Sequence, residues 1–101
     1  MGIFLLLIIS INVNPKQIKI NEINDKILNK KVQIKGEITN VRTYDDFQIL
    51  SINDHTGTID ATLNSYNKFE KNQSVTIIGT IEQYKNNLQI RAEKITFNEL
   101  S

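Results

Sequence analysis

The side chains that could do chemistry in this sequence are few. His55 is the single histidine and there is no cysteine. One imidazole without a second His or a thiolate does not make a transition-metal site. Asp45 and Asp46 adjoin, but a paired-carboxylate mechanism needs two carboxyls facing one another in a pocket, and nothing around this pair suggests one. Asp54 stands in a turn, Asn53-Asp54-His55-Thr56-Gly57, where an aspartate bonds to its own backbone; its reading is structural. No glycine-rich phosphate loop, nucleophile elbow or zinc spacing occurs. The sequence therefore predicts no catalytic residue, no metal ligand and no cofactor, and a domain that binds rather than reacts.

What remains is charge and aromatic surface. The formal net charge is +1, which decides nothing about partners, but its distribution is uneven. Residues 15–43 hold seven basic side chains against three acidic ones, a net of +4. Residues 44–74 hold five acidic against two basic, a net of −3, and the remainder balances. This is a mild basic stripe beside an acidic stretch, less than dedicated nucleic-acid binders show.

The elements that must position these groups are strands. A chain of 101 residues allows one domain with one modest core. Its apolar set is dominated by isoleucine, with valine, leucine and phenylalanine. Side chains branched at Cβ are stiff and favour strands. Val32, Ile34 and Ile38 alternate with polar residues, with Gly36 in phase, the period of a half-buried strand. Gly36 in mid-strand predicts a bulge or sharp bend, which a small barrel needs to close. Phe47–Ile52 reads as a second strand and Thr58–Leu63 as a third, with a glycine-ended turn between them. Ser74–Glu82 is a fourth, with Val75, Ile77 and Ile81 inward around Gly79. Leu88–Ala92 is a fifth, and Ile95 and Phe97 continue its apolar set. The fourth and fifth are joined by Tyr84-Lys85-Asn86-Asn87, where the asparagines tolerate left-handed backbone. The polar stretch 64–72 has Tyr66 and Phe69 three apart, which fits a short helix of one or two turns packing two aromatics on the barrel end. The expectation is an all-β, five-stranded Greek-key barrel with one short helix between strands three and four.

Ahead of the barrel, residues 1–14 form an apolar segment and residues 15–29 a lead-in; the barrel occupies 30–101. The run Ile3 to Ile11, broken only by Ser10, is about half the length a membrane-spanning helix needs. It lacks the basic region and small-residue cleavage site of a signal peptide. Three readings stay open: the end of a membrane anchor that begins upstream, a short membrane-dipping anchor, and an extra strand or short helix covering the barrel. Pro15 ends whatever it forms. Gln17 to Lys31 reads as a short extended piece followed by one helical turn or a tight loop.

Four patterns together carry a family resemblance: Val32-x-Ile34-x-Gly36-x-Ile38, Asp54-x-x-Gly57-x-Ile59, Val75-x-Ile77-x-Gly79-x-Ile81 and Leu88-x-Ile90-x-Ala92-x-x-Ile95. Over residues 30–97 the chain resembles OB-fold domains of the tRNA-anticodon and helicase type, a superfamily that includes replication protein A modules and the anticodon-binding domains of class II tRNA synthetases. The resemblance implies nucleic-acid binding on the outer face of strands two and three, with the loops joining strands one to two and four to five. Parity turns Leu50 and Ile52 inward, and Phe47, Ile49 and Ser51 outward; in strand three Thr58, Asp60 and Thr62 face outward. Where anticodon-binding members place a stacking phenylalanine this chain has Ile49, and its aromatic is Phe47 on the same face. Tyr44, Phe47 and Tyr84 are the implied stacking platforms. Lys35, Arg42, Lys85 and Arg91 supply charge, and Gln89 lies with Arg91 on the outer face of strand five.

The resemblance thus implies a non-catalytic module that binds single-stranded DNA or RNA with low sequence specificity, in the cytoplasm. A second reading is a membrane-tethered or extracytoplasmic module that binds a protein or other ligand, associated with the membrane through residues 3–11. On that reading Phe47 and Ile49 meet a protein partner; on the separate reading in which the apolar segment packs on the barrel, residues 3–13 cover them.

Overall fold

The computed structural model describes residues 15–64 and 68–98. Five strands, β1 (Lys31–Thr43), β2 (Gln48–Asn53), β3 (Thr58–Leu63), β4 (Ser74–Tyr84) and β5 (Asn87–Phe97), close into a barrel in the order β1-β2-β3-β5-β4. Closure depends on β1 serving two partners. Its first half, Lys31 to Glu37, pairs antiparallel with Thr80 to Ser74 of β4. Its second half, Glu37 to Thr43, pairs with Asn53 to Gln48 of β2. The other closing seam is parallel and short: Asp60, Ala61 and Thr62 of β3 face Gln89, Ile90 and Arg91 of β5.

The alternation in the sequence is the alternation in the barrel. Ile34, Ile38, Leu50, Ile52, Val75, Ile77, Ile81 and Ile90 are fully buried, one inward row after another. Burial of each such side chain favours folding by about 1.5–3 kcal/mol relative to exposure. Phe97 departs from the expectation: it is half exposed, tilted against Phe69 at 5.6 Å between ring centroids.

Gly36 sits where β1 changes partner. A Cβ there would stand 2.6 Å from Ile52 Cγ2 and 2.9 Å from the Asn53 carbonyl oxygen, so glycine is required by close approach. The irregularity itself is displaced from the position expected: the register shifts between Ile38 and Asn40. A second shift falls between Ile78 and Gly79, where an added Cβ would collide with the Arg91 carbonyl oxygen. Both corners let a small sheet curl on itself.

The lead-in is part of the barrel's packing. Ile18 N–H donates to the Gln33 carbonyl at 2.9 Å, and Gln33 N–H donates to the Lys16 carbonyl at 3.1 Å. This covers the edge of β1 that β2 does not reach. Two 3-10 turns follow, Ile20–Glu22 and Asp25–Ile27. Ile20 is buried in the core, and Ile18, Ile23, Ile27 and Leu28 pack against it.

The helix expected between the third and fourth strands falls partly on residues 65–67, outside the described residues. Lys68 to Glu70 carry no regular secondary structure. The apolar run at residues 3–11 also lies outside the described residues. Among the described residues no helix is long and apolar enough to cross a membrane.

Candidate functional site

The outer face of β2 and β3 is built by register. Arg42 lies opposite Ile49, Ile49 opposite Thr62, and Thr62 opposite Arg91. Directly opposed residues share a face, so these four form one row across four strands. The next row runs Asn40, Ser51, Asp60, Gln89. Arg42 is thus a strand residue at the end of β1.

One end of this face is the β1–β2 hairpin. Tyr44 N–H donates to the Phe47 carbonyl at 2.8 Å, closing a turn around the exposed Asp45 and Asp46. The closure stacks the Tyr44 and Phe47 rings, with centroids 4.7 Å apart and planes inclined by 17°. The two rings act as one platform, in which Tyr44 keeps 44% of its surface exposed. The next residue, Gln48, points inward and is only 3% exposed. Burying an amide is costly without partners; Gln48 Nε2 donates to Thr43 Oγ1 at 3.3 Å.

The other end is the β4–β5 hairpin. Since Gln89 stands level with Asp60 and β5 runs parallel to β3, Asn87 is level with Thr58, the start of β3. The Tyr44–Phe47 stack lies beyond the opposite end of β3, past Leu63. Tyr84 is 58% exposed, and the Lys85 ammonium sits 5.4 Å from its ring centroid, within range of cation–π attraction. Tyr84 pairs with Asn87, so the turn residues are Lys85 and Asn86, with φ of 49° and 69°. Left-handed backbone was expected at Asn86 and Asn87; the structure moves it one residue back, onto a lysine.

Electrostatics temper the face. Arg42 Nη2 is 3.2 Å from Asp60 Oδ2, and Ser51 Oγ donates to Asp60 Oδ1 at 3.0 Å. Arg91 Nη1 is 3.6 Å from Glu82 Oε1. Exposed pairs of this kind are worth about 0–1 kcal/mol, so a phosphate can compete for either guanidinium. A third pair, Lys31 with Glu93 at 3.0 Å, lies outside these rows. The Lys31 ammonium, with the Thr80 hydroxyl, holds the Glu93 carboxyl below its ordinary range.

Of the eight residues singled out in the sequence, the fold gathers Arg42, Tyr44, Phe47, Gln89 and Arg91 on or beside the face, and sets Tyr84 and Lys85 at its far end. Lys35 is not brought to it. Lys35 opposes Thr76 of β4 and borders a recess with Asn53, Asp54 and His55, at the end of β2 away from Phe47. Lys35 thus lies outside the two rows, on the half of β1 that pairs with β4. Residues that the sequence reading left aside, Asn40 and Thr62, complete the rows. The outward parity of Thr62 was readable; Asn40 shares the parity of the inward Ile38, and the register shift between Ile38 and Asn40 turns it outward. Among the described residues no group of His, Asp and Glu side chains could hold a metal ion.

Asp54 takes the structural role expected and adds one. Its carboxylate accepts from the backbone N–H of Thr56 at 2.8 Å and of Gly57 at 3.2 Å, and also from the Ile20 N–H at 2.8 Å. It therefore ties the lead-in to the β2–β3 turn. Burial alone would raise its pKa, but the Thr56 hydroxyl and these three N–H donors outweigh that and hold the carboxyl below its ordinary value.

Comparison with known proteins agrees with this architecture. Residues 32–97 match the tRNA anti-codon family, described as an OB-fold nucleic acid binding domain. Among solved structures, the chain is similar to an aspartyl tRNA synthetase from Entamoeba histolytica, at 15% identity and a TM-score of 0.78, covering 91% of this chain and 23% of that one. It is similar to OBody AM1L10 bound to hen egg-white lysozyme, at 17% identity and a TM-score of 0.74, covering 89% and 99%. A replication protein A heterotrimer bound to ssDNA gives 17% identity and a TM-score of 0.64, covering 68% and 57%. At these identities the likeness is one of fold. The chain spans less than a quarter of the synthetase it resembles. No curated protein sequence matches it.

Proposed function

This chain belongs to the family of OB-fold nucleic acid binding domains, and from that premise we propose that it binds single-stranded DNA or RNA across the outer face of β2 and β3, without catalysis and with low overall sequence specificity. The observation that carries the reading is the register. It puts Arg42 and Arg91 in one row, with Ile49 and Thr62 between them, and leaves exposed aromatic groups at both ends of the face.

A single strand is held by stacking its bases and neutralising its phosphates. The Tyr44–Phe47 stack offers one platform and Tyr84 another, each worth about 1–3 kcal/mol per base. Ile49 and Thr62 give a low apolar floor between them. Arg42, Arg91 and Lys85 are the cations that meet phosphate. Arg42 and Arg91 exchange a carboxylate partner for a phosphate, so the electrostatic gain per contact is modest. Two platforms and three cations describe a weak binder.

The test is a fluorescence anisotropy titration of the full chain against labelled oligo-dT and oligo-rU at low and then moderate salt. The reading expects micromolar affinity for both. Three phosphate contacts on a single strand predict a slope of about −2 in log affinity against log salt. Absence of binding at low salt would overturn the reading and turn attention to a protein partner for the same face.

A further inference from the structure

Asp60 is out of place on a surface that meets phosphate. It projects from the middle of β3, in the row of Asn40, Ser51 and Gln89, and its side chain is 45% exposed. A carboxylate at the centre of the face repels phosphate oxygens and attracts hydrogen-bond donors. A bound strand must therefore turn its backbone away from Asp60 and toward the Arg42–Arg91 row. The groups that then approach Asp60 are base edges.

We propose that Asp60 reads the Watson–Crick edge of one bound base and favours guanine there. This rests on the nucleic-acid reading given above. Asp60 is held in position by Ser51, whose Oγ donates to Oδ1 at 3.0 Å; in the free chain Arg42 Nη2 donates to Oδ2 at 3.2 Å, a contact that a bound phosphate takes over. Each carboxylate oxygen accepts about two hydrogen bonds, so each keeps one lone pair for a ligand. Guanine presents two neighbouring donors, N1–H and N2–H2, which match the two oxygens in a bidentate, charge-assisted pair. Adenine and cytosine each offer one exocyclic amino group beside a ring-nitrogen acceptor. Uracil and thymine offer one N–H between two carbonyls, which a carboxylate repels. The order of preference at this position is guanine, then adenine and cytosine, then uracil and thymine. Gln89 is level with Asp60 on β5 and presents both donors and acceptors, which lets it meet the remaining edge of the same base.

The experiment measures the affinity of the full chain for a short oligo-dT, for the same oligomer with one central guanine, and for the same oligomer with inosine there. Inosine lacks the N2 amino group and keeps everything else. Guanine should bind about tenfold more tightly than thymine, and inosine should lose most of that gain. Asp60→Asn should abolish the guanine preference while binding oligo-dT at least as well as the parent chain, because a repulsive charge is gone. Equal affinity for all three oligomers, or a preference that survives Asp60→Asn, overturns the inference and leaves the nucleic-acid reading standing. No binding to any oligomer overturns both. The inosine comparison uses the unsubstituted chain, so it decides the matter even if the variant folds poorly.

Discussion

The β1–β2 and β2–β3 connections flank the same strand, and each contains aspartate. In the β2–β3 turn the Asp54 carboxylate accepts from Ile20, Thr56 and Gly57 N–H, and Gly57 leaves room for Ile20 Cγ2, which an added Cβ would approach to 3.3 Å. In the β1–β2 turn Asp45 and Asp46 point into solvent, and the structure is set by a backbone hydrogen bond and two stacked rings. One turn is tied inward to the lead-in. The other holds aromatic surface outward. Residue type alone does not separate them; what separates them is whether the carboxylate has backbone donors within reach.

The two turns differ most at Asp54. Asp54→Ala leaves the Ile20, Thr56 and Gly57 N–H groups without their acceptor and frees the lead-in. It should cost about 2–3 kcal/mol, read as a fall of about 10–20 °C in a thermal melt. Alanine at Asp45 or Asp46 should change stability by less than about 0.5 kcal/mol. Acid provides an independent check. The native Asp54 pKa is depressed, so its contribution is complete above the ordinary carboxylate value and drains away as the pH falls through the native one. As the pH falls below about 4 the parent chain should lose stability faster than Asp54→Asn; parallel curves would show that the charge contributes nothing.

Binding should invert this ranking. Phe47→Ala with Tyr84→Ala removes a partner from the stack and the second platform, and should cost about 2–4 kcal/mol of affinity at roughly 1–3 kcal/mol per stacked base. Asp54→Asn, provided it stays folded at the temperature used, should bind as the parent does. Loss of binding in Asp54→Asn alone would mean the two turns are not separate in function.

The third turn, between β4 and β5, carries the smallest expected effect. Lys85 holds a φ of 49°, a region disfavoured for any residue with a Cβ and tolerated best by glycine and asparagine. Lys85→Asn should raise stability by about 0.5–1 kcal/mol and remove one cation from the site. Equilibrium denaturation with an oligo-dT titration beside it would show a firmer fold and slightly weaker binding. A less stable variant would place the value of Lys85 in its contact with Tyr84 instead.

How much of this was legible in the sequence follows from the range of each interaction. The inward residues of the strands, Phe97 excepted, the turn at Asp54 and the strand count were readable because period-two alternation and turn chemistry are local. The outward direction of Phe47, Ile49 and Asp60 followed from the same parity. What parity does not hold is register. That Arg42 meets Asp60, that Lys35 is carried to the far end of β2, and that the shift in β1 falls after Ile38 rather than at Gly36 all depend on which residues oppose across strands. The left-handed residue at Lys85 was missed because composition favours Asn86-Asn87, while the pairing of Tyr84 with Asn87 fixes the turn one position earlier. The Tyr44–Phe47 stack was read as two platforms because neither residue's sequence context shows the hydrogen bond that brings the rings together.

The central claim is that one face of the barrel holds a nucleic-acid strand, and amide chemical-shift mapping of the full chain with oligo-dT tests it most directly. Perturbations should grow together along the titration over Asn40–Ser51, Thr58–Thr62 and Tyr84–Arg91, with Lys31–Gly36 and Ser74–Ile78 unmoved. Perturbations centred on Lys35 and the first half of β1, or none at saturating oligonucleotide, would contradict it.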